Sequence, residues 1–63
     1  MFIITKSGVT ITAPGTSINC SDGKTYNFMG NSLIGPNGVI SMNVQSYEEA
    51  VGIVIGLYGG RSI

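Results

Sequence analysis

The segment Tyr47-Glu48-Glu49-Ala50-Val51-Gly52-Ile53-Val54-Ile55-Gly56-Leu57-Tyr58 decides how this chain folds. Ser46 with Glu49 three positions on is a capping box, whose side chains satisfy orphan backbone N–H groups of a helical first turn. Glu48 and Glu49 also sit where the positive end of a helix dipole favours negative charge. From Ala50 to Leu57 nothing is polar, and Gly59-Gly60 supply a stop. A strand competes for the same residues. Val51-Gly52-Ile53-Val54-Ile55 is rich in β-branched side chains, and each glycine weakens a helix by about 1 kcal/mol. The cap and the acidic first turn decide for a helix over residues 47–58.

A helix that is apolar all round needs cover on every side. A chain of 63 residues has little material to provide it. A domain of that size buries only about 60% of the surface its unfolded chain exposes, so it needs a disulfide, a metal or a partner. The single cysteine, Cys20, excludes an intrachain disulfide, and with no histidine a structural zinc has no plausible ligand set. Self-association remains, and a homo-oligomer is expected. Gly52 and Gly56 share one helix face, on which small residues let two backbones approach closely. With Ile53 and Leu57 they form the candidate oligomer interface. The same glycines would equally let the helix settle onto its own sheet. A combined reading turns Val51 and Ile55 to the sheet and the glycine pair to a second copy.

Upstream, the chain reads as short strands between turns. Phe2–Thr5 is the first, ended by Ser7-Gly8. Val9–Ala13 alternates apolar and polar residues at period two, the mark of a half-buried strand. Pro14-Gly15 suits a type II turn. Ser17–Cys20 alternates again, Asp22-Gly23 is a hairpin signal, and Lys24–Phe28 follows. Gly30-Asn31-Ser32 breaks the pattern, Leu33-Ile34 makes a brief pairing, and Gly35-Pro36-Asn37-Gly38 is a second turn. Val39–Val44 forms the last strand. The expected fold is α+β, a single domain over 1–63: a small antiparallel meander of about five or six strands with one C-terminal helix packed on one face. Ile11, Ala13, Ile18, Cys20, Tyr26, Phe28, Ile40, Met42 and Val44 are assigned to the covered face. Thr10, Thr12, Ser17, Asn19, Thr25, Asn27, Ser41 and Asn43 are assigned to the other.

Composition narrows the function classes. Three Lys/Arg balance three Asp/Glu, and only 10% of residues are charged, against roughly 25% in an average soluble domain. Nucleic acids and anionic membranes are recognised through clustered Lys/Arg, so neither is an expected partner. Gly, Ser, Thr and Asn fill 27 positions, but 43% hydrophobic residues argue against disorder. The N-terminal apolar run is too short for a signal peptide, and Ala50–Tyr58 is far short of the roughly 20 residues that span a bilayer. The expected location is cytoplasmic.

Chemistry-bearing motifs are few. Gly30–Gly35 has the glycine spacing of a phosphate loop, yet Pro36-Asn37 stand where Lys and Ser/Thr are required, so that reading is rejected. Asn31 is retained as a residue at a pocket rim. There is no histidine base, the two glutamates are adjacent, and Cys20 lies in an apolar strand pattern. No catalytic residue, metal or cofactor is assigned. Gly59-Gly60-Arg61 is the one glycine cluster attached to a charge. Its backbone N–H groups and guanidinium suit phosphate or carboxylate, although a plain helix stop followed by a frayed tail accounts for the same residues. Tyr58, Tyr26 and Lys24, with Asp22 nearby, complete the candidate binding set.

Two function classes follow. The first is a non-enzymatic homo-oligomeric binding protein that sequesters a small anionic or nucleotide-like ligand between subunits. The second is a protein–protein module, a small inhibitor or a virion component. The composition resembles that of small Gly/Ser/Thr/Asn-rich proteins encoded by phages, which would place it in a host cytoplasm.

Overall fold

A computed structural model describes residues 1–62. Six strands run β1 (Phe2–Ile4), β2 (Thr10–Thr12), β3 (Ser17–Cys20), β4 (Thr25–Met29), β5 (Ser32–Gly35) and β6 (Gly38–Ser41), followed by helix α1 (Tyr47–Leu57). Every strand pairs antiparallel with its sequence neighbour, giving one sheet in the order β1-β2-β3-β4-β5-β6. This is the α+β meander expected from the alternation and the turns.

Residues 51–55 are helical, not a strand. Ser46 holds an extended N-cap conformation, and its Oγ accepts a hydrogen bond from Glu49 N at 3.1 Å. At the other end the N–H groups of Tyr58, Gly59 and Gly60 fold back onto the carbonyls of Ile55, Gly56 and Ile55. Gly59 and Gly60 do this at φ of +91° and +89°, a conformation that a side chain resists. Ala50, Val51, Val54 and Ile55 are buried against the sheet, while Gly52, Gly56 and Leu57 face outward and Ile53 is half-buried. Two tyrosines eleven residues apart, hence on one helix face, pin the helix to sheet turns. Tyr47 Oη accepts from Gly15 N at 3.1 Å and donates to the Ser17 carbonyl. Tyr58 Oη does the same work at the far end, as described below.

The core lies between this helix and one face of the sheet. Ile3, Ile11, Ala13, Ile18, Cys20, Tyr26, Leu33 and Val44 meet the four buried helix residues there, with Phe28 half-buried beside them. Thr5 is the one buried polar residue among them, and its Oγ1 donates to the Val9 carbonyl at 2.7 Å.

The last strand departs from the alternation. Ile34 pairs with Val39 but Leu33 pairs with Ser41, so Ile40 is an extra residue in a bulge. The chain then leaves the sheet, and Asn43 turns it at φ +62°. Period two therefore fails after Val39. Ile40 and Met42, expected on the covered face, are 40% and 69% exposed, and only Val44 of that set reaches the core. Leu33 fills the place they leave, fully buried opposite Phe28.

The segment after the helix is ordered rather than frayed. Arg61 bridges Thr5 in antiparallel register, flanked by Lys6 N to the Gly60 carbonyl (2.9 Å) and Ser62 N to the Ile4 carbonyl (2.8 Å). One edge of the sheet is thus covered by the chain's own tail, and β6 is the other edge.

Candidate functional site

Three of the expected binding residues converge where the helix ends over the β3–β4 hairpin. Asp22 Oδ1 accepts from Lys24 N at 3.0 Å, a local turn bond favoured by aspartate in a hairpin. Its Oδ2 accepts from Tyr58 Oη at 2.7 Å, and Tyr58 Oη lies 3.3 Å from Tyr26 Oη. These bonds tie helix, hairpin and β4 together through side chains distant in sequence. The Tyr58 hydroxyl and the Lys24 N–H hold the Asp22 carboxyl below the usual carboxylate range. Burial, then the Tyr26 and Asp22 hydroxyl bonds, push the Tyr58 phenol above its usual value. Burial also raises the Cys20 thiol, only partly offset by Tyr58, which favours its protonated form.

This network carries a pH signature. An acid held more acidic in the folded state contributes stability above its ordinary value of about 3.9, which is lost as pH falls through the lower folded value. A phenol held less acidic contributes stability below about 10, which is lost as pH rises beyond that. Tyr58→Phe removes the proton shared with Asp22. We expect its melting temperature to vary less with pH at both ends, and the Asp22 carboxyl resonance to titrate closer to the ordinary range by NMR.

Beside the network, between β4 and the β5–β6 hairpin, lies a cleft of about 190 Å³. Tyr26, Pro36, Val39 and Ile40 give it apolar surface, and Lys24 and Asn37 add polar groups. Gly35 makes the packing possible: a Cβ there would stand 2.6 Å from Ile40 Cδ1 and 3.2 Å from the Tyr26 ring. Lys24 and Tyr26 line this cleft directly, and Tyr58 supports it from behind through Tyr26.

The other expected site residues lie elsewhere. Gly59 and Gly60 have both backbone N–H groups engaged in the helix stop, so neither is available to an anion. Arg61 lines a shallow groove of about 410 Å³ along the β1 edge with Phe2, Ile3, Ile4 and Ser62. That groove is larger but offers one side-chain charge beside strand backbone, and none of the other expected binding residues reaches it. Asn31 is in the β4–β5 turn at the opposite end of the sheet, where its carbonyl accepts from Val44 N at 2.8 Å. Sequence reasoning missed Gly35, Val39 and Ile40 as cleft residues, and Tyr47 as the second helix clamp. The eleven-residue spacing of Tyr47 and Tyr58 was the available signal for the clamps.

Among the described residues no group of three or more His, Cys, Asp and Glu is placed to hold a metal ion, and no helix is long and apolar enough to cross a membrane. Comparison with known proteins finds no matching family model, no matching curated protein and no matching solved structure.

Proposed function

We propose that this chain is a non-enzymatic, homo-oligomeric binding protein that takes a small anionic ligand in the cleft between Lys24 and the β5–β6 hairpin. The observation that carries the reading is one lysine beside the tyrosine and aliphatic side chains that line the cleft. Such a cleft suits a carboxylate on a short hydrocarbon body, with the anion at Lys24 and the body against Tyr26, Val39 and Ile40. Its size limits the ligand. Sites for drug-sized molecules run from about 300 to 1,000 Å³, so a nucleotide would fit here only with a further wall from a second subunit. A binder is favoured over an enzyme because burial favours the protonated thiol and the phenol and carboxylate are committed to each other.

Titration of short-chain carboxylates followed by NMR shifts of the Tyr26 and Ile40 resonances tests this. Lys24→Ala is expected to weaken binding about tenfold, the low end for a charge-assisted hydrogen bond at an exposed group. Gly35→Ala is expected to abolish it by driving Ile40 Cδ1 into the cleft, with the fold retained, since the displaced atom is a flexible chain end. Undiminished binding in both variants would remove the cleft from the reading. The second reading, a protein–protein module such as a small inhibitor or virion component, is favoured by the exposed Val39 and Ile40 at the same cleft. A cleft of this volume fits one apolar side chain of a partner. Capture of a partner that Gly35→Ala releases, with no response to any carboxylate, would select it.

A further inference from the structure

The face of the sheet turned away from the helix carries no charge at all. Phe2, Thr12, Asn19 and Thr25 stand side by side in one row across β1 to β4. Ser17, Asn27, Ile34 and Val39 form the next row across β3 to β6. Ile4 and Thr10 form a third. All six charged side chains belong to turns, helix or tail: Lys6, Asp22, Lys24, Glu48, Glu49 and Arg61. About 25–35% of surface positions in a soluble domain carry charge, so the roughly one dozen outward strand positions should hold three or four. They hold none, and the hydroxyls and amides are bounded by apolar side chains at both edges, with Phe2 70%, Ile4 52% and Val39 59% exposed.

We infer that this outer face is the homo-oligomer interface, covered by the outer face of a second copy in a two-sheet sandwich with both helices outside. The inference rests on the homo-oligomeric reading above and names its surface. The pattern is self-complementary. A two-fold axis along the strands lays β1 of one copy over β6 of the other, so the apolar edges face each other with Phe2 one row from Val39. An axis across the strands lays β1 over β1, so with the axis between their rows Phe2 of each copy meets Ile4 of the other. In both cases the Thr/Asn/Ser centre faces its own kind, and no charge meets a like charge, which a two-fold interface cannot otherwise avoid near its axis. Aligned sheets pack face to face about 10 Å apart, where a charge on either face would be costly to bury. The helix face offers less, because Glu48 and Glu49 stand at its N-terminal end beside Gly52. Six strands at about 4.8 Å spacing and three to five residues long give a footprint on the order of 400 Å² per copy. Two such faces total about 800 Å², below the roughly 1,000 Å² of a stable specific interface, so the dimer is expected to be weak and transient.

Sedimentation velocity from about 1 μM to 1 mM, a range that brackets such a dimer, decides the matter for the wild-type chain, Asn19→Lys and Gly52→Leu. Asn19 is exposed at the centre of the face, and among the described residues its side chain makes no hydrogen bond. The lysine is expected to leave the melting curve of the monomer unchanged and to raise the dimer dissociation constant at least about 100-fold, a like charge opposed across a dry interface. Gly52→Leu is expected to leave dimerisation intact. Thr12→Lys, one strand away, serves if Asn19→Lys does not fold. A wild-type dimer that survives the lysine but is lost in Gly52→Leu overturns the face and keeps the homo-oligomer. A wild-type chain that stays monomeric throughout overturns both. Monomer retarded on a dextran column and released by soluble dextran would assign the face to a neutral polysaccharide instead. The carboxylate titration reads the cleft independently of all these outcomes.

Discussion

Leu33→Ala is expected to remove roughly half of the protein's folding stability. Leu33 sits at the centre of β5, fully buried, opposite Phe28 on one side and Ser41 on the other. Truncating a buried leucine to alanine costs about 2–5 kcal/mol, the spread reflecting how far the surroundings collapse into the cavity. The stability available to absorb that loss is small: at 0.05–0.15 kcal/mol per residue, a 63-residue domain has roughly 3–9 kcal/mol. The bulge at Ile40 turns that side chain toward the cleft, so it is Phe28, half-buried opposite Leu33, that would have to fill the hole. Far-UV circular dichroism melts and urea titration report the loss. A cost under about 1 kcal/mol would mean that β5 and β6 are not part of the cooperative unit, and that the cleft sits on a locally frayed hairpin.

The same residue marks where the sequence stopped being legible. The first four strands were readable because alternation and turn chemistry agree there: Ile11, Ala13, Ile18, Cys20 and Tyr26 keep strict period two and all are buried. The helix was readable because its N-cap and acidic first turn outweigh the β-branched run, and the cap is the one found. The last strand misled because a bulge adds one residue without any local sequence mark. Ile40-Ser41-Met42-Asn43-Val44 alternates perfectly on paper, while the backbone shifts Ile40 out of phase. The site was legible only in part for a related reason. Lys24 and Tyr26 are neighbours in sequence, so their meeting required no tertiary knowledge. The approach of Ile40 and Tyr26 over Gly35, and of Tyr58 to Asp22, depends on sheet order and helix placement, which no short-range pattern encodes. The tail glycines illustrate the converse. Their N–H groups were assigned to an anion because a helix stop and an anion nest use the same backbone geometry, and here the stop engages them.

Replacing both helix glycines, Gly52→Ala with Gly56→Ala, is expected to stabilise the protein. A Cβ at either position meets nothing within 4 Å, and both residues keep ordinary helical backbone. Alanine in a helix interior is favoured over glycine by about 0.8–1 kcal/mol. Gly56 lies in the last turn, where the gain is smaller, so the pair should add about 1–1.5 kcal/mol. For a domain of this size each kcal/mol raises the melting temperature by about 4–8 °C, so the double variant should melt roughly 5–10 °C higher. No stability reason for two glycines in an eleven-residue helix is visible in the packing, which makes the association measurement on the same variant informative. If the outer sheet face is the interface, the double alanine dimerises as the wild type does and simply melts later. If instead two helices meet across Gly52 and Gly56, with Ile53 and Leu57 beside them, the added methyls hold the backbones apart. The monomer is then more stable and the dimer weaker, two changes of opposite sign in one protein. Melting curves taken at low and high protein concentration separate these outcomes, because only a loss of association removes the concentration dependence of the transition.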